Sequence, residues 1–343
     1  MPTLFGRQWT RDELRQFTGH MNQLAGIRPV TYANGRGAGL KAFQVWTGTG
    51  LTFDVLADRC LDIGPCFFGG KSLSWQSSGG FAHPSYYEPE GMRWLRTFGG
   101  GLFITAGLDH FASPTVDNGE EFGLHGRAAN LPAEQVGYRC AWDGDDYRLE
   151  ISGQVRQARL YGENLLLKRR ITTQLGSSAI QIEDEVINEG WNRQPHMIMY
   201  HFNLGFPLIG PDTELTFPKK KVTPRSELAA QHLDEHTTLA PPTPGWTEHV
   251  FIMDAQAGPD GYATATIANR SIGLAASLRF RADTLPYLVQ WKQLGQGDYA
   301  LGVEPTNSPA MEGRVDAREK GVLVELEPGE SRTYSLTFSV EEV

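Results

Sequence analysis

The segment PHMIMYHFNLGFP, residues 195–207, places a histidine inside an otherwise apolar run. Apolar neighbours before and after His201 predict a strand that is covered on both faces. A buried imidazole then needs a hydrogen-bond partner or a chemical role. Two interpretations stay open. His201 is either a core histidine bonded to the backbone or to Tyr200, or a proton donor that projects from a sheet into a pocket, since imidazole titrates near pH ~6.5.

Other segments of the chain also read as strands. Apolar residues recur near period two in LTFDVLA (51–57), YRLEISGQV (147–155), AIQIEDEVIN (179–188) and TYSLTFSV (333–340). Turn-forming residues separate these segments, as is typical of antiparallel strands. We therefore predict an all-β protein whose residues 27–343 form a single, large antiparallel β-sandwich domain.

The first 26 residues predict an N-terminal helical extension. Thr10 and Glu13 form a capping-box pattern, and apolar residues recur at helical spacing from Leu14 to Leu24 before Gly26. We expect a helix over about residues 10–24, and we expect it to be the longest in the chain. The polar, proline-rich interval 222–247 is predicted to be a long surface loop.

The composition excludes several functional classes. The chain has 343 residues, 40% of them hydrophobic, and a formal net charge of -9. This acidic balance without a basic block argues against nucleic acid or an anionic membrane surface as a partner. No membrane span or signal peptide is indicated, so we expect a cytoplasmic protein. Three cysteines without metal-ligand spacing are typical of reduced thiols.

Several short segments carry polar residues that packing alone does not require. DRCLDIG (58–64) contains Arg59 and Asp62, which form either an internal salt bridge or part of a binding site. The glycine-rich FGGGLFITAGLDH (98–110) lacks the spacing of a nucleotide-binding loop. GLHGRAANLPA (123–133) is either an ordinary turn or a close approach to a ligand. Glu304 follows an apolar strand and precedes a proline, a position that suits the mouth of a sheet.

Taken in order, these motifs resemble one known family. An LHG turn, a strand with HFNLG and a glutamate in VEPTNSPA occur in the order found in the aldose 1-epimerases, or galactose mutarotase-like proteins. The chain is most similar to their poorly characterised aldose-epimerase-like branch. In the galactose enzymes the acid histidine lies four residues before the Asn of an Asn-Leu pair, whereas His201 lies two before Asn203. A step of two keeps a side chain on the same face of a strand.

The resemblance implies a galactose mutarotase-like supersandwich that binds a small-molecule sugar and needs no metal or organic cofactor. It implies that His201 is the catalytic acid and Glu304 the catalytic base. These residues would open the hemiacetal ring so that it closes again as the other anomer. We expect sugar contacts from the following residues: His125, Arg127, Asp109, Lys292, Arg59, Trp75 and Asn203. An unpaired Arg127 or Lys292 at the pocket wall would indicate an anionic sugar.

Two other functions stay open. A metal-dependent sugar isomerase would use His110, His125, His196 and His201 as ligands, although the chain has no compact metal-ligand spacing. A binding protein would hold glycans without converting them. The sequence also leaves a homodimer open.

Overall fold

A computed structural model describes all residues, 1–343, and shows a mainly antiparallel β protein. Strand accounts for 49% of the chain and helix for 13%, so the predicted all-β class is confirmed. The strands are β1 (Thr3–Leu4), β2 (Arg7–Gln8), β3 (Gly26–Thr31), β4 (Lys41–Trp46), β5 (Leu51–Leu56), β6 (Asp62–Phe68), β7 (Lys71–Ser72), β8 (Trp75–Gln76), β9 (Gly100–Gly101), β10 (Phe103–Ala106), β11 (Thr115–Asp117), β12 (Glu120–Phe122), β13 (Glu134–Asp143), β14 (Asp146–Ala158), β15 (Asn164–Gln174), β16 (Ala179–Asn188), β17 (Gln194–His196), β18 (Met199–Gly205), β19 (Glu214–Thr216), β20 (Lys219–Pro224), β21 (His249–Ala255), β22 (Tyr262–Asn269), β23 (Leu274–Arg281), β24 (Tyr287–Leu294), β25 (Tyr299–Thr306), β26 (Val324–Leu326) and β27 (Ser331–Glu342).

Two large sheets form the sandwich. The 11-stranded sheet has the order β20, β21, β24, β25, β18, β10, β6, β5, β4, β3, and β7 pairs with β6. The 8-stranded sheet has the order β13, β14, β15, β16, β27, β23, β22, β19. Every pairing in both sheets is antiparallel. The segments predicted from period-two spacing coincide with β5, β14, β16 and β27, except that β5 ends at Leu56, one residue before the end of the predicted segment.

The core lies between the two sheets. A cluster of 60 buried apolar residues draws on both of them. Phe202 on β18 stacks on Phe338 on β27, with ring centroids 5.9 Å apart. The alternation of side chains along β18 sends Tyr200, Phe202 and Leu204 into this core. Met199 and His201 therefore point to the opposite face of the large sheet, where smaller apolar clusters cover them.

A buried ionic cluster also joins the sheets. Arg169 on β15 makes two hydrogen bonds to Asp184 on β16, at 2.9 and 2.6 Å, and donates to Asp62 on β6 at 2.9 Å. Tyr200 donates its hydroxyl to Asp184 at 2.6 Å. Buried charges are tolerated when they are paired and hydrogen-bonded in this way. Asp62 of the DRCLDIG segment is therefore in a buried salt bridge. Its partner is Arg169, and not Arg59 of the same segment.

The helices are short. They are α1 (Arg11–Phe17), α2 (Glu227–Gln231) and α3 (Arg314–Glu319), with 3₁₀ segments at Met21–Gln23, Gly35–Gly37, Pro84–Tyr86, Gly91–Thr97, Ala128–Asn130, Leu233–Glu235 and Arg270–Ile272. None has the length and apolar character needed to span a membrane. Helix α1 has the predicted capping box, but its 7 residues end at Phe17 and not near Leu24. Thr18 has extended backbone angles that end the helix, and a separate 3₁₀ turn carries Met21.

The N-terminal segment packs on the sandwich. Leu4 and Leu14 are buried in the same core cluster as the strands of both sheets. The boundary at residue 26 stays a prediction. The interval 222–247, predicted to be a long surface loop or excursion, contains the end of β20, α2 and the 3₁₀ turn Leu233–Glu235, and is without helix or strand from residue 236 to 247.

Candidate functional site

A cavity of about 170 Å³ lies on the face of the large sheet that is turned away from the core. Its floor consists of side chains from β18, β24 and β25, and its walls come from the segment 91–98, the turn at residues 124–125, Arg225 and Glu248. We call this space the inner cavity. It contains His125, His201 and Glu304, three residues that the sequence predicts for one site.

His201 and Glu304 lie side by side on neighbouring strands. Phe202 on β18 pairs with Val303 on β25, so the residues next to them project from the same face of the sheet. Nε2 of His201 is 3.2 Å from Oε1 of Glu304, and both side chains are almost completely buried. The acid and base roles expected from the sequence suggest that His201 and Glu304 lie on opposite sides of a sugar ring. The two side chains are neighbours instead, because their strands are adjacent in the sheet.

Burial shifts the pKa values of both groups. It lowers the pKa of His201 to about 4. Burial, reinforced by the charge of Glu248, raises the pKa of Glu304 well above its ordinary value. Both shifts favour the uncharged form of each group.

His125 is the third polar group on the cavity wall. Its backbone has φ of 57°, in the left-handed region, and Gly126 follows it with φ of 71°. This turn holds the ring 4.8 Å from the ring of Trp94 and 5.4 Å from that of His201, between centroids. Nδ1 of both His125 and His201 is buried without a hydrogen-bond partner. Buried polar atoms of this kind are available to the hydroxyl groups of a ligand.

Charged side chains mark the mouth of the inner cavity. Arg225 donates to Oε1 of Glu312 at 3.0 and 3.1 Å and to the hydroxyl of Ser113 at 2.8 Å. Its guanidinium also lies 3.9 Å from Glu248. Glu248 in turn accepts a hydrogen bond of 2.7 Å from the indole of Trp291. The only arginine on this wall is thus already neutralised by carboxylates.

Several predicted sugar contacts lie outside the inner cavity. Arg59 is buried and donates to the carbonyl of Ala82 at 2.9 Å. Asp109 accepts from Gln157 at 2.6 Å and from Arg314 at 3.1 Å. Both side chains thus have hydrogen-bond partners within the protein.

Arg127 and Lys292 likewise have protein partners. Arg127 lies 3.5 Å from Glu120 and 4.0 Å from Glu163. Lys292 donates to the carbonyl of Glu235 at 2.8 Å and lines a separate depression, outside the inner cavity. The condition that would have indicated an anionic sugar, an unpaired cation of these two at the pocket wall, is not met.

The last two predicted contacts lie close to the inner cavity. Asn203 donates to the carbonyl of His201 at 2.9 Å and to that of Gly101 at 3.2 Å, so it fixes the backbone below the histidine. Trp75 lines an adjoining space, and its ring centroid is 5.9 Å from that of Trp291.

The four histidines considered as metal ligands are not arranged as a ligand set. His196 uses both ring nitrogens, donating from Nδ1 to the carbonyl of Leu108 at 2.9 Å and accepting from the hydroxyl of Tyr334 at 2.7 Å. No group of three or more His, Cys, Asp or Glu side chains in the chain has the arrangement of a metal site.

Sequence reasoning misses Arg225, Glu248 and Trp291 as cavity residues. It selects Lys292 in place of its neighbour Trp291. Adjacent residues of a strand point to opposite faces, and the period-two pattern of β24 places Lys292 with the core-facing Leu288 and Leu294. This alternation could therefore have identified Trp291, and not Lys292, as the cavity residue. Arg225 follows β20 directly, inside the interval that the sequence predicts to be a surface loop.

Solved structures of proteins described as aldose 1-epimerases or as galactose mutarotase-like share this fold. A "putative aldose 1-epimerase" from Klebsiella pneumoniae superposes with a TM-score of 0.88 at 24% identity, over 93% of this chain and 86% of that one. A galactose mutarotase-like protein from Clostridium acetobutylicum gives a TM-score of 0.65 at 14% identity, over 94% and 100% of the two chains. The galactose 1-epimerase of Lactobacillus acidophilus gives 0.59 at 15%, over 93% and 99%. The predicted galactose mutarotase-like sandwich is confirmed.

The chain belongs to the family described as Domain of unknown function (DUF4432), whose model matches residues 37–340. No curated protein shows significant sequence similarity to it.

Proposed function

We propose that this protein is an aldose 1-epimerase-like enzyme that interconverts the anomers of an uncharged sugar. The observation that carries the proposal is the buried pair of His201 and Glu304, 3.2 Å apart in a cavity with aromatic walls. Two groups that share one proton are what the opening and closing of a hemiacetal ring require.

The side-by-side geometry suits this chemistry because both reacting oxygens of the sugar are bonded to C1. Glu304 takes the proton of the anomeric hydroxyl while His201 protonates the ring oxygen, and the ring opens to the aldehyde. Rotation about C1–C2 followed by the reverse transfers gives the other anomer. Net charge does not change during these transfers, and the carboxylate and imidazolium that start ring opening lie next to each other, so each is paired with the opposite charge inside the buried cavity.

Burial, which raises the pKa of Glu304, favours the proton arrangement of the ring-opened stage of this cycle, with the proton on Glu304. In that stage Glu304 donates to the aldehyde oxygen as the ring closes, and neutral His201 accepts the proton of the ring hydroxyl. Ring opening starts from the other arrangement, with the proton on His201. Sugar hydroxyls that hydrogen-bond to the carboxylate favour that arrangement once the cavity is filled.

The cavity walls offer the contacts that a sugar ring needs. Phe98 and Trp291 present apolar faces to C–H groups, and both rings pack near His201, with centroids 5.7 and 5.6 Å from it. The unpartnered Nδ1 of His125 and the guanidinium of Arg225 are hydroxyl ligands. Because carboxylates already neutralise Arg225, this wall favours an uncharged aldose over a uronate or a sugar phosphate.

Anomer exchange measured by one-dimensional NMR saturation transfer tests the proposal. We expect the wild-type protein to accelerate exchange for at least one member of a panel of aldoses and sugar acids. Replacement of His201 by Gln should remove most of the acceleration, whereas replacement of the partly exposed His83 should not. Binding of a sugar without any acceleration of exchange would contradict the proposal and would indicate a carbohydrate-binding protein.

A further inference from the structure

A second cavity of about 650 Å³ adjoins the inner cavity. Leu95, Phe98, Glu248 and Trp291 line both spaces, so the two are separated only by side chains that they share. We call the second space the outer cavity. A ligand bound beside His201 and Glu304 would therefore have open space next to it, bounded by Trp291.

The outer cavity has the surface chemistry of a sugar subsite. Trp75, Tyr86, Phe98 and Trp291 supply aromatic surface, and Ser77, Ser78 and Gln293 supply uncharged hydrogen-bonding groups. Trp75 contacts the rings of Phe98 and Trp291, with centroids at 5.5 and 5.9 Å. Its Nε1 is buried without a partner. Aromatic faces beside a few polar groups are typical of pockets that bind small polar molecules such as sugars.

The charges of the outer cavity favour a neutral occupant. The outer cavity is lined by two arginines, Arg36 and Arg96, and by three acidic residues, Glu88, Glu248 and Asp298. Arg96 lies 3.7 Å from Glu88, and Arg36 donates to the carbonyl of Arg96 at 2.6 Å. A phosphate or carboxylate would meet more acidic than basic side chains, and it would have to displace existing contacts.

The rim of both cavities exposes apolar side chains. Tyr86, Met92 and Leu95 are 49%, 55% and 50% exposed, and each lines one or both of the two spaces. Large apolar side chains that remain exposed together around a cleft mark a binding surface. A ligand that extends from the inner to the outer cavity would cover them.

We propose that the substrate is a reducing disaccharide or longer oligosaccharide. Its reducing-end ring lies in the inner cavity, and the next ring lies on Trp291 in the outer cavity. This inference rests on the proposed function, because only a ring with a free anomeric hydroxyl can react at His201 and Glu304. The linked ring must therefore be attached through another hydroxyl. A glycan-cleaving reaction that releases a new reducing end would supply such a substrate.

Anomer exchange of cellobiose, lactose and maltose, compared with glucose and galactose, tests the inference. We expect kcat/KM for at least one disaccharide to exceed that for its reducing-end monosaccharide by roughly tenfold, the scale of one good aromatic contact. Ser78→Trp, at an exposed position on the outer cavity, should remove this advantage and leave monosaccharide exchange unchanged. Ser331→Trp, at an exposed position on the other sheet, is the matched control.

Three outcomes would overturn the inference. The first is equal kcat/KM for disaccharides and monosaccharides. The second is a Ser78→Trp variant that lowers kcat/KM for both classes alike or for neither. The third is a sugar phosphate preferred over every disaccharide.

Binding distinguishes failure of the subsite from failure of the proposed function. If the wild-type protein accelerates anomer exchange of no sugar, titration calorimetry of cellobiose and glucose with the Glu304→Gln variant shows whether the subsite exists. Tighter binding of cellobiose that Ser78→Trp abolishes would keep the subsite while the epimerase proposal fails. Equal binding of the two sugars would reject the subsite.

Discussion

Replacement of Glu304 by glutamine should abolish activity and at the same time stabilise the fold. Glutamine has nearly the shape of the carboxyl group of Glu304, but it cannot take up a proton. Loss of one acid-base group lowers kcat/KM by about 10²–10⁴-fold, or about 2.7–5.4 kcal/mol in transition-state free energy. NMR measurement of anomer exchange on the best substrate gives this number directly.

The effect on stability follows from the direction in which the pKa moves. In the unfolded chain this glutamate ionises above its ordinary pKa of 4.5, whereas in the fold burial raises its pKa well above that value. The unfolded state then binds fewer protons than the folded state, so the free energy of unfolding falls as pH rises from about 4.5 to the folded pKa. Each tenfold change in an acid dissociation constant corresponds to about 1.4 kcal/mol. Glu304→Gln removes this loss of stability.

Chemical denaturation at several pH values measures the difference. We expect Glu304→Gln to unfold at higher denaturant than the wild type at pH 7–8 and to match it near pH 4. Glu341→Gln, at an exposed position on β27, should leave both activity and stability unchanged. A Glu304→Gln variant that is less stable at pH 7, or that retains exchange activity, would refute the reasoning.

Three further predictions concern the site and the core. The pH profile of kcat/KM should be flat at neutral pH and fall on the acid side near pH 4, because burial lowers the pKa of His201 to about 4; an acid limb near pH 6.5 would show a solvated histidine. Phe202→Ala should cost about 3–5 kcal/mol in the free energy of unfolding, measured in urea, because its ring packs between the sheets, and a loss below about 1 kcal/mol would contradict this packing. Arg169→Met leaves two buried carboxylates without a counter-charge and should cost about 3–5 kcal/mol or more, as judged from thermal unfolding; an unchanged melting temperature would show that the cluster contributes nothing.

The fold was predictable because many of its long strands repeat one pattern. Alternating apolar residues in segments such as 179–188 define both the strand and its buried face, and β16 begins and ends at those residues. The helix was predicted too long, since the apolar spacing continues through Met21 while Thr18 leaves the helical conformation. Periodicity reports which face is buried but does not reveal where the backbone turns.

The site was only partly predictable, for a related reason. His201 stood out because a polar ring in a strand covered on both faces is costly unless it has a role. Arg225 and Glu248 carry no such signal, since charged residues near the ends of strands are common at any protein surface. Their position at the cavity depends on how β20 and β21 pair at the edge of the large sheet, and this long-range pairing is not visible in the local sequence.

His201 and Glu304, the proposed acid and base, lie on hydrogen-bonded neighbouring strands in the middle of a sheet, whereas other surfaces of the inner cavity come from segments outside it, such as residues 91–98. The hydrogen bonds between these strands therefore fix the spacing of the two side chains. Insertions, deletions or exchanges in the surrounding segments can change the shape of the cavity and leave this spacing intact. We expect a directed-evolution programme that randomises residues 91–98 together with Arg225 and Glu248 to alter which sugars are accepted and to retain the proposed reaction.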